Sequence, residues 1–471
     1  MIDSDARLFV LDEQGLFFSE SRQELHTFNT PATFIWCCLE ENLDPAEIAA
    51  AYERTFAVSG VEAEAHVAGM LSQWQGLGYI SGFDPSRAPR IELTTALGRL
   101  LSTPALRVAF AASPAETARA LALRADHVAA FVALDPESLE RQSEMLRARH
   151  SELRLGSPPT GSDTVFVSVL SSGRSALEVA TESRLLKFSA PSLACHYRLL
   201  DTVFRVRFAS LVQGDAVQPA LAHLAVEETK RPDVVLELLE AGEDHLILED
   251  IVPVEHCSGL DRLAPLVKGT VRRLAVNRHR HFLQLHAGVV SNGERCLILP
   301  GAPGSGKTTL TAALSAAGFQ YFSDEFALLE ENTLELRPVP LSLTVKPGAI
   351  DVLTVYYPEL SGLPAHLRED MQIVRYLRPR GALPDPDRSC PVGWIVFPRY
   401  APGAAPALRA LGKADTLHRL MRECLAVPEP LDGSRVQSLV NWIRQVNCFE
   451  LSVRSLAEAV DVLRDLCGIS P

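Results

Sequence analysis

Nine residues constrain this chain more than any others: Gly301-Ala302-Pro303-Gly304-Ser305-Gly306-Lys307-Thr308-Thr309. They read G-x-x-x-x-G-K-T, the pattern of a loop that cradles phosphate. Its glycines let the backbone curl so that successive N–H groups point inward at an anion. Lys307 would place a point charge on the β- and γ-phosphates, and the Thr308 hydroxyl suits a magnesium (Mg2+) ligand. The flanks agree. Cys296-Leu297-Ile298-Leu299 is a short apolar run of strand type. Leu310, Ala313, Leu314 and Ala317 then fall at helical spacing, and Gly318 is a natural stop. A strand, a glycine loop and a helix whose N-terminus faces the anion together predict a nucleotide site, with ATP and Mg2+ as the expected ligands.

A chain of 471 residues exceeds one ordinary domain. An apolar fraction of 47% supplies packed cores, and 22% charged residues argue against long disorder. The formal net charge of −13 gives no sign of nucleic-acid binding. The nine cysteines are scattered, without C-x-x-C spacing, which predicts buried thiols rather than a disulfide scaffold or zinc site. The start, Met1-Ile2-Asp3-Ser4-Asp5, is acidic and does not read as a signal peptide. No apolar run is long enough to span a bilayer, so the expected setting is cytoplasmic, without a membrane partner.

The first 85 residues are predicted to form a separate domain. Leu8–Leu11 and Leu16–Phe18 read as strands around the turn Glu13-Gln14-Gly15, and Glu24–Phe28 as a third strand. Asn29-Thr30-Pro31, Asp44-Pro45-Ala46-Glu47 and Ser59-Gly60-Val61-Glu62 each read as a helix start. A strand hairpin with three short helices is a winged-helix-like arrangement. The third helix carries no Lys or Arg from Glu62 to Leu77, which speaks against DNA. Leu25…Phe28-Asn29-Thr30-Pro31-Ala32-Thr33-Phe34-Ile35-Trp36, Asp44–Ile48 and Leu71…Gly76-Leu77-Gly78-Tyr79-Ile80 together resemble the PqqD family, the peptide-recognition domain of ribosomal natural-product pathways. That resemblance implies binding of a precursor's leader peptide, which adds a strand to the hairpin edge and rests against the third helix. A purely structural winged helix is the alternative.

Residues 86–163 read as a linker followed by a mostly helical segment rich in Ala, Leu and Arg, with a capped start at Ser113-Pro114-Ala115-Glu116 and a second boundary at Gly156–Asp163. From residue 164 the pattern becomes mixed. Val165–Val169, Thr202–Arg207, Val234–Leu239 and Leu246–Leu248 read as strands. Leu260–Arg280 reads as a helix with Leu263, Leu266, Val267, Val271 and Leu274 inward. Its other face holds Lys268, Arg272, Arg273, Arg278 and Arg280, expected to be solvated or to dock an acidic substrate segment.

Around the phosphate loop the reading sharpens. Asn292-Gly293 between two apolar runs predicts a hairpin, so the strand before the loop follows an antiparallel partner, unlike most parallel P-loop folds. Beyond the loop, the strand-like Phe319–Phe322 leads to Ser323-Asp324-Glu325. Paired acids at a strand end suit Mg2+ and an incoming hydroxyl. His286-x-x-x-Val290, a turn, the loop, a helix ending in glycine and two adjacent acids together resemble HPr serine kinase, a fold related to phosphoenolpyruvate carboxykinase, over roughly residues 190–465. The resemblance implies that Lys307 holds phosphate, that Thr308 and Asp324 hold metal, and that His286 sits beside the transferred group. It makes Glu325 the presumed base, although that family usually has aspartate at both positions. The family's later glycine-rich signature is missing; Pro338–Gly348 stands there instead, as in the HPr-kinase-related proteins of peptide-modifying clusters. Lys346, Arg375 and Arg399 are candidates for neutralising phosphate charge. The tail, with Leu420, Leu425, Leu439, Trp442, Ile443, Leu456, Val460, Leu463 and Leu466, reads as packing helices.

The expected architecture is α/β of the α+β kind: a winged-helix-like domain (1–85), a helical segment (86–163) and a P-loop domain with a mixed sheet (164–471). The expected activity is ATP-dependent phosphorylation of a Ser or Thr hydroxyl in a tethered precursor peptide. Alternatives are a small-molecule hydroxyl kinase, phosphorylation followed by elimination, or an ATP-gated peptide-binding protein. The HPr kinase resemblance also leaves a homo-oligomer open.

Overall fold

The computed structural model describes residues 5–12, 14–41, 43–81, 104–120, 128, 131–134, 136, 165–166, 193–302, 304–401, 403 and 405–469. The linker expected at 86–90, the boundary at 156–163, most of the segment between them and residues 167–169 lie outside these. The chain forms two compact units.

The first unit begins with an antiparallel meander, β1 (Ala6–Leu11), β2 (Gln14–Ser19) and β3 (Glu24–Phe28). Leu11 pairs with Gln14, so Gln14 lies in β2 rather than in the turn the sequence suggested. Gly15 is a strand residue paired with Val10 and Phe28. A Cβ there would meet Leu8 Cδ1 and Thr33 Oγ1 at 2.7 Å, so this glycine allows close approach rather than a turn. Three helices follow: α1 (Thr30–Glu40), α2 (Pro45–Phe56) and α3 (Gly60–Gly76). Each starts where a cap was expected. The Asn29 side chain accepts from Ala32 N, and Asp44 and Ser59 close capping boxes with Glu47 and Glu62. Phe17, Phe28, Trp36, Trp74 and Tyr79 fill the space between sheet and helices. Phe17 meets Trp36 edge-on at 4.8 Å, and Phe28 stacks on Trp74 at 5.1 Å. The helices α4 (Pro104–Ala112) and α5 (Pro114–Ala120) and a two-residue strand, β4 (Val165–Phe166), complete this part. β4 pairs with β3, giving the order β1-β2-β3-β4.

The second unit opens with the five-stranded sheet β5 (Leu193–Leu199), β6 (Thr202–Phe208), β7 (Val234–Ala241), β8 (Asp244–Glu249) and β9 (Val252–Ser258), in that spatial order. Helix α6 (Leu211–Leu221) lies between β6 and β7 in sequence, which makes that pair parallel. Helix α7 (Leu263–Arg278) leads into β10 (His281–Leu285), β11 (Ala287–Ser291) and β12 (Cys296–Pro300). The predicted hairpin is present: β11 and β12 are antiparallel, and Asn292 Oδ1 accepts from the N–H groups of Glu294 and Arg295 at 3.0 and 2.9 Å. After β12 come the glycine loop and α8 (Lys307–Ala316), then β13 (Gln320–Ser323), β14 (Ala327–Glu330), β15 (Leu336–Arg337) and β16 (Leu343–Val345). The short helix α9 (Ile350–Thr354), β17 (His366–Leu367), β18 (Ile373–Leu377), β19 (Val392–Tyr400) and β20 (Ala407–Ala410) follow.

The chain then returns to the first unit. Gly412–Ala426 and Pro430–Arg444 belong there, carrying α10 (Lys413–Arg422), β21 (Cys424–Ala426) and most of α11 (Gly433–Gln445). Helix α10 packs on β2, β3 and β4. The Gln23 side chain donates to Leu431 O at 2.7 Å and accepts from Leu431 N at 2.8 Å, clipping the returning segment to the meander. β22 (Asn447–Val453) and α12 (Leu456–Cys467) end in the second unit and complete a six-stranded mixed sheet, β13-β11-β12-β19-β22-β20. Leu451, Val460 and Leu463 pack there against Leu299, Leu310 and Leu314. The fold is thus α+β, with a first unit of helices on a meander and a second unit with mixed sheets. No described helix is long and apolar enough to cross a membrane.

Candidate active site

Strand register gathers the predicted residues at one end of one sheet. Ala287 pairs with Pro300, and Val289 with Ser323. His286 precedes Ala287, Gly301 follows Pro300, and Asp324 follows Ser323. These three therefore leave three adjacent strands at the same end. β19 runs parallel to β12, with Ile298 opposite Ile395, so its last residues, including the exposed Arg399, emerge at that end as well.

The loop from Gly301 has the backbone its sequence called for. Gly304 and Gly306 have φ of +84° and +87°, a left-handed region costly for other residues. A Cβ on either would meet nothing within 4 Å, so both face open space. Pro303 lies outside the described residues. Ala302, Gly304, Ser305 and Gly306 are exposed, and Gly301, Thr308 and Thr309 half-buried. Lys307 opens α8 and is buried; its ammonium donates to the carbonyls of Gly301 and, at 3.0 Å, Ala302. Helix α8 lies close on β11: a Cβ on Gly288 would meet Thr311 Oγ1 at 2.1 Å. The open cradle and the hydroxyl of Thr308 form a hard-oxygen and N–H donor set that fits a nucleotide phosphate and Mg2+.

The two acids behave differently. Asp324 is 3% exposed, and both of its oxygens are bound. Tyr321 Oη donates to one at 3.0 Å and Thr344 N to the other at 3.1 Å. Burial raises its pKa to about 6, against the pull of Lys268. Burial acts on Glu325 in the same direction but is outweighed. Lys268 Nζ lies 2.6 Å from one oxygen and Arg272 2.7 Å from the other, holding Glu325 below the ordinary carboxylate range. Thr344 Oγ1 donates to Glu325 at 3.1 Å and accepts from Lys268 at 2.7 Å. The Lys268 ammonium also sits 5.1 Å from the Tyr376 ring centroid. Lys268 and Arg272 thus clamp Glu325 as an anion, whereas burial disfavours the charge on Asp324.

This corrects the reading of α7. Lys268 is not on a solvated face: it is 3% exposed and, with the half-buried Arg272, reaches the acid pair. Arg273 and Arg278 do lie outward and pair with Glu255 and Glu249. The available signal was Lys268 standing directly after the inward pair Leu266-Val267; a cation there is tolerated only with a buried partner. Arg375 is half-buried on β18, opposite Val345 and next to Tyr376, and Lys346 is exposed just beyond β16. The structure thus sets these two beside the Thr344 strand rather than on the glycine loop. His286 is half-buried.

Residues 8–80 match the family model described as coenzyme PQQ synthesis protein D (PqqD). The match spans β2, β3 and α1 to α3 and most of β1. A comparison of the whole chain with curated proteins gives no match.

Proposed function

We propose that this chain is an ATP-dependent kinase that phosphorylates a Ser or Thr hydroxyl of a ribosomally made precursor peptide, with the leader held by the PqqD-like domain. The observation that carries the kinase half is the register: His286, the glycine loop and the acid pair leave adjacent strands at one sheet end. The match at residues 8–80 supports the peptide half.

In this reading the N–H groups of the loop and the α8 N-terminus hold the phosphates, and Lys307 turns from the loop carbonyls to the β- and γ-phosphate oxygens. Thr308 would hold Mg2+, which supplies charge neutralisation at the phosphates when bound. Asp324 accepts the proton of the attacking hydroxyl, its raised pKa matched to that task. Lys268 and Arg272 keep Glu325 ionised and fixed, so its charge favours a proton on its neighbour. Arg399, at the same sheet end, would meet transferred charge. Tethering through the leader raises the acceptor's local concentration to roughly millimolar, so the site needs little affinity of its own for the acceptor sequence.

Radiolabelled ATP tests the nucleotide half directly. Binding of Mg-ATP in the micromolar range that falls at least tenfold in Lys307→Ala is expected; unchanged binding in that variant removes the loop from the mechanism.

A further inference from the structure

The outer edge of β3 is where an extended peptide would join the first unit's sheet, and the chain already places a strand of its own there. On its inner side β3 pairs along its full length with β2, from Glu24 opposite Ser19 to Phe28 opposite Gly15. On its outer side the ladder has two rungs, Glu24 opposite Phe166 and Leu25 opposite Val165. Those two residues come from about 140 positions further along the chain, past α5, and α10 packs against both β3 and β4. Among the described residues, no strand pairs with His26, Thr27 or Phe28 on that side.

We propose that Val165–Phe166 is a resident strand that guards the peptide edge and is displaced by an incoming extended peptide. The inference rests on the peptide-recognition reading of this domain. An open edge is a template for unwanted pairing, and a short strand covering part of it blunts that hazard. Two rungs form a weak latch. The uncovered stretch His26–Phe28 offers an arriving peptide a place to begin pairing, from which it zips toward Leu25 and Glu24 and removes the latch. Only a segment longer than the latch gains by this exchange, so the guard selects extended peptides of about five residues or more over short accidental ones. The cost is a lowered apparent affinity, by the factor through which the latched form outnumbers the open one.

The polar side of β3 is preset for the exchange. Tyr79 Oη lies 2.9 Å from Glu24 and 2.8 Å from His26 Nε2, and the Arg22 guanidinium sits 5.0 Å from the Tyr79 ring centroid. These contacts hold the strand from the helix side, so the edge remains in place when β4 leaves.

The test uses the full chain and a fluorescein-labelled synthetic peptide with its own sequence from Gly161 to Leu170. Fluorescence anisotropy is read for the wild type and for the double variant Val165→Pro/Phe166→Pro, which removes both N–H donors of β4. The variant should bind the peptide about three- to tenfold more tightly, as expected when a competing closed state is removed. Hydrogen exchange at Leu25 should be faster in the free variant and slowed again by the peptide. A second variant, Val165→Gly/Phe166→Gly, should act in the same direction if the prolines disturb folding. Equal affinity for all three proteins, with unchanged exchange at Leu25, overturns the proposal. Precursor peptides that bind tightly but equally to all three would overturn the latch and leave peptide recognition standing. Discrimination of the self-peptide with no binding of any precursor would do the reverse.

Discussion

At the scale of single residues, the proposed chemistry turns on one pair of neighbouring acids whose surroundings shift their pKa values in opposite directions. If Asp324 is the base, transfer should rise as pH passes through about 6 and level off above 7, in single-turnover rates measured between pH 5 and 8. Asp324→Asn should lose at least a hundredfold in transfer while still binding nucleotide. The two acids also leave opposite marks on stability. Glu325 has a lowered folded pKa, so its contribution is full above the unfolded value near 4.5 and is lost as pH falls below it. Asp324 has a raised one, so its contribution is full below its unfolded value near 3.8 and is lost as pH rises through about 6. Lys268→Met leaves Glu325 with Arg272 alone. Breaking a buried pair costs roughly 3 kcal/mol, less here because Glu325 keeps some solvent, and a lower thermal midpoint would register it. The motif residues were legible one by one, since a glycine loop and adjacent acids are local patterns. Lys268 was not, because its partner lies 57 residues away and helical periodicity does not show which cation is buried.

At the scale of elements, caps and turns were the most readable features. Asn29, Asp44, Ser59 and Asn292 each do what their residue type favours, because a cap satisfies orphan N–H groups within one turn. Gly15 misled for the opposite reason: its smallness serves packing from Leu8 and Thr33, which local sequence does not announce. Two changes probe elements directly. Gly306→Ala forces a methyl-bearing residue into a left-handed backbone at a cost of about 1–2 kcal/mol and narrows the cradle; weaker nucleotide binding is the expected readout. Gln23→Ala removes both hydrogen bonds to Leu431, together worth about 2 kcal/mol. Faster amide exchange across residues 431–444, with little change in α1 to α3, should follow.

At the scale of the molecule, the chain weaves between its two units. Residues 412–426 and 430–444 complete the first unit although they lie within the stretch that reads as the P-loop domain. Periodicity identified their helices, with Leu420, Leu439 and Ile443 inward, but not the distant meander they cover. The consequence is covalent. β20 and β22, neighbours in the sheet that carries the glycine loop, are joined by a segment belonging to the first unit. Removing residues 1–85 would therefore expose the apolar side of α10 and α11, so the truncated chain should be less soluble and need the missing domain for stability.

The central claim is transfer of phosphate to a peptide gripped by its leader. Intact-mass spectrometry of precursor peptides encoded beside this gene, incubated with the full chain, ATP and Mg2+, tests it most directly. The account predicts a gain of roughly 80 Da, the mass of one phosphoryl group, lost with Lys307→Ala and sharply reduced when the leader is removed. No gain in mass while Mg-ATP binds tightly would contradict it.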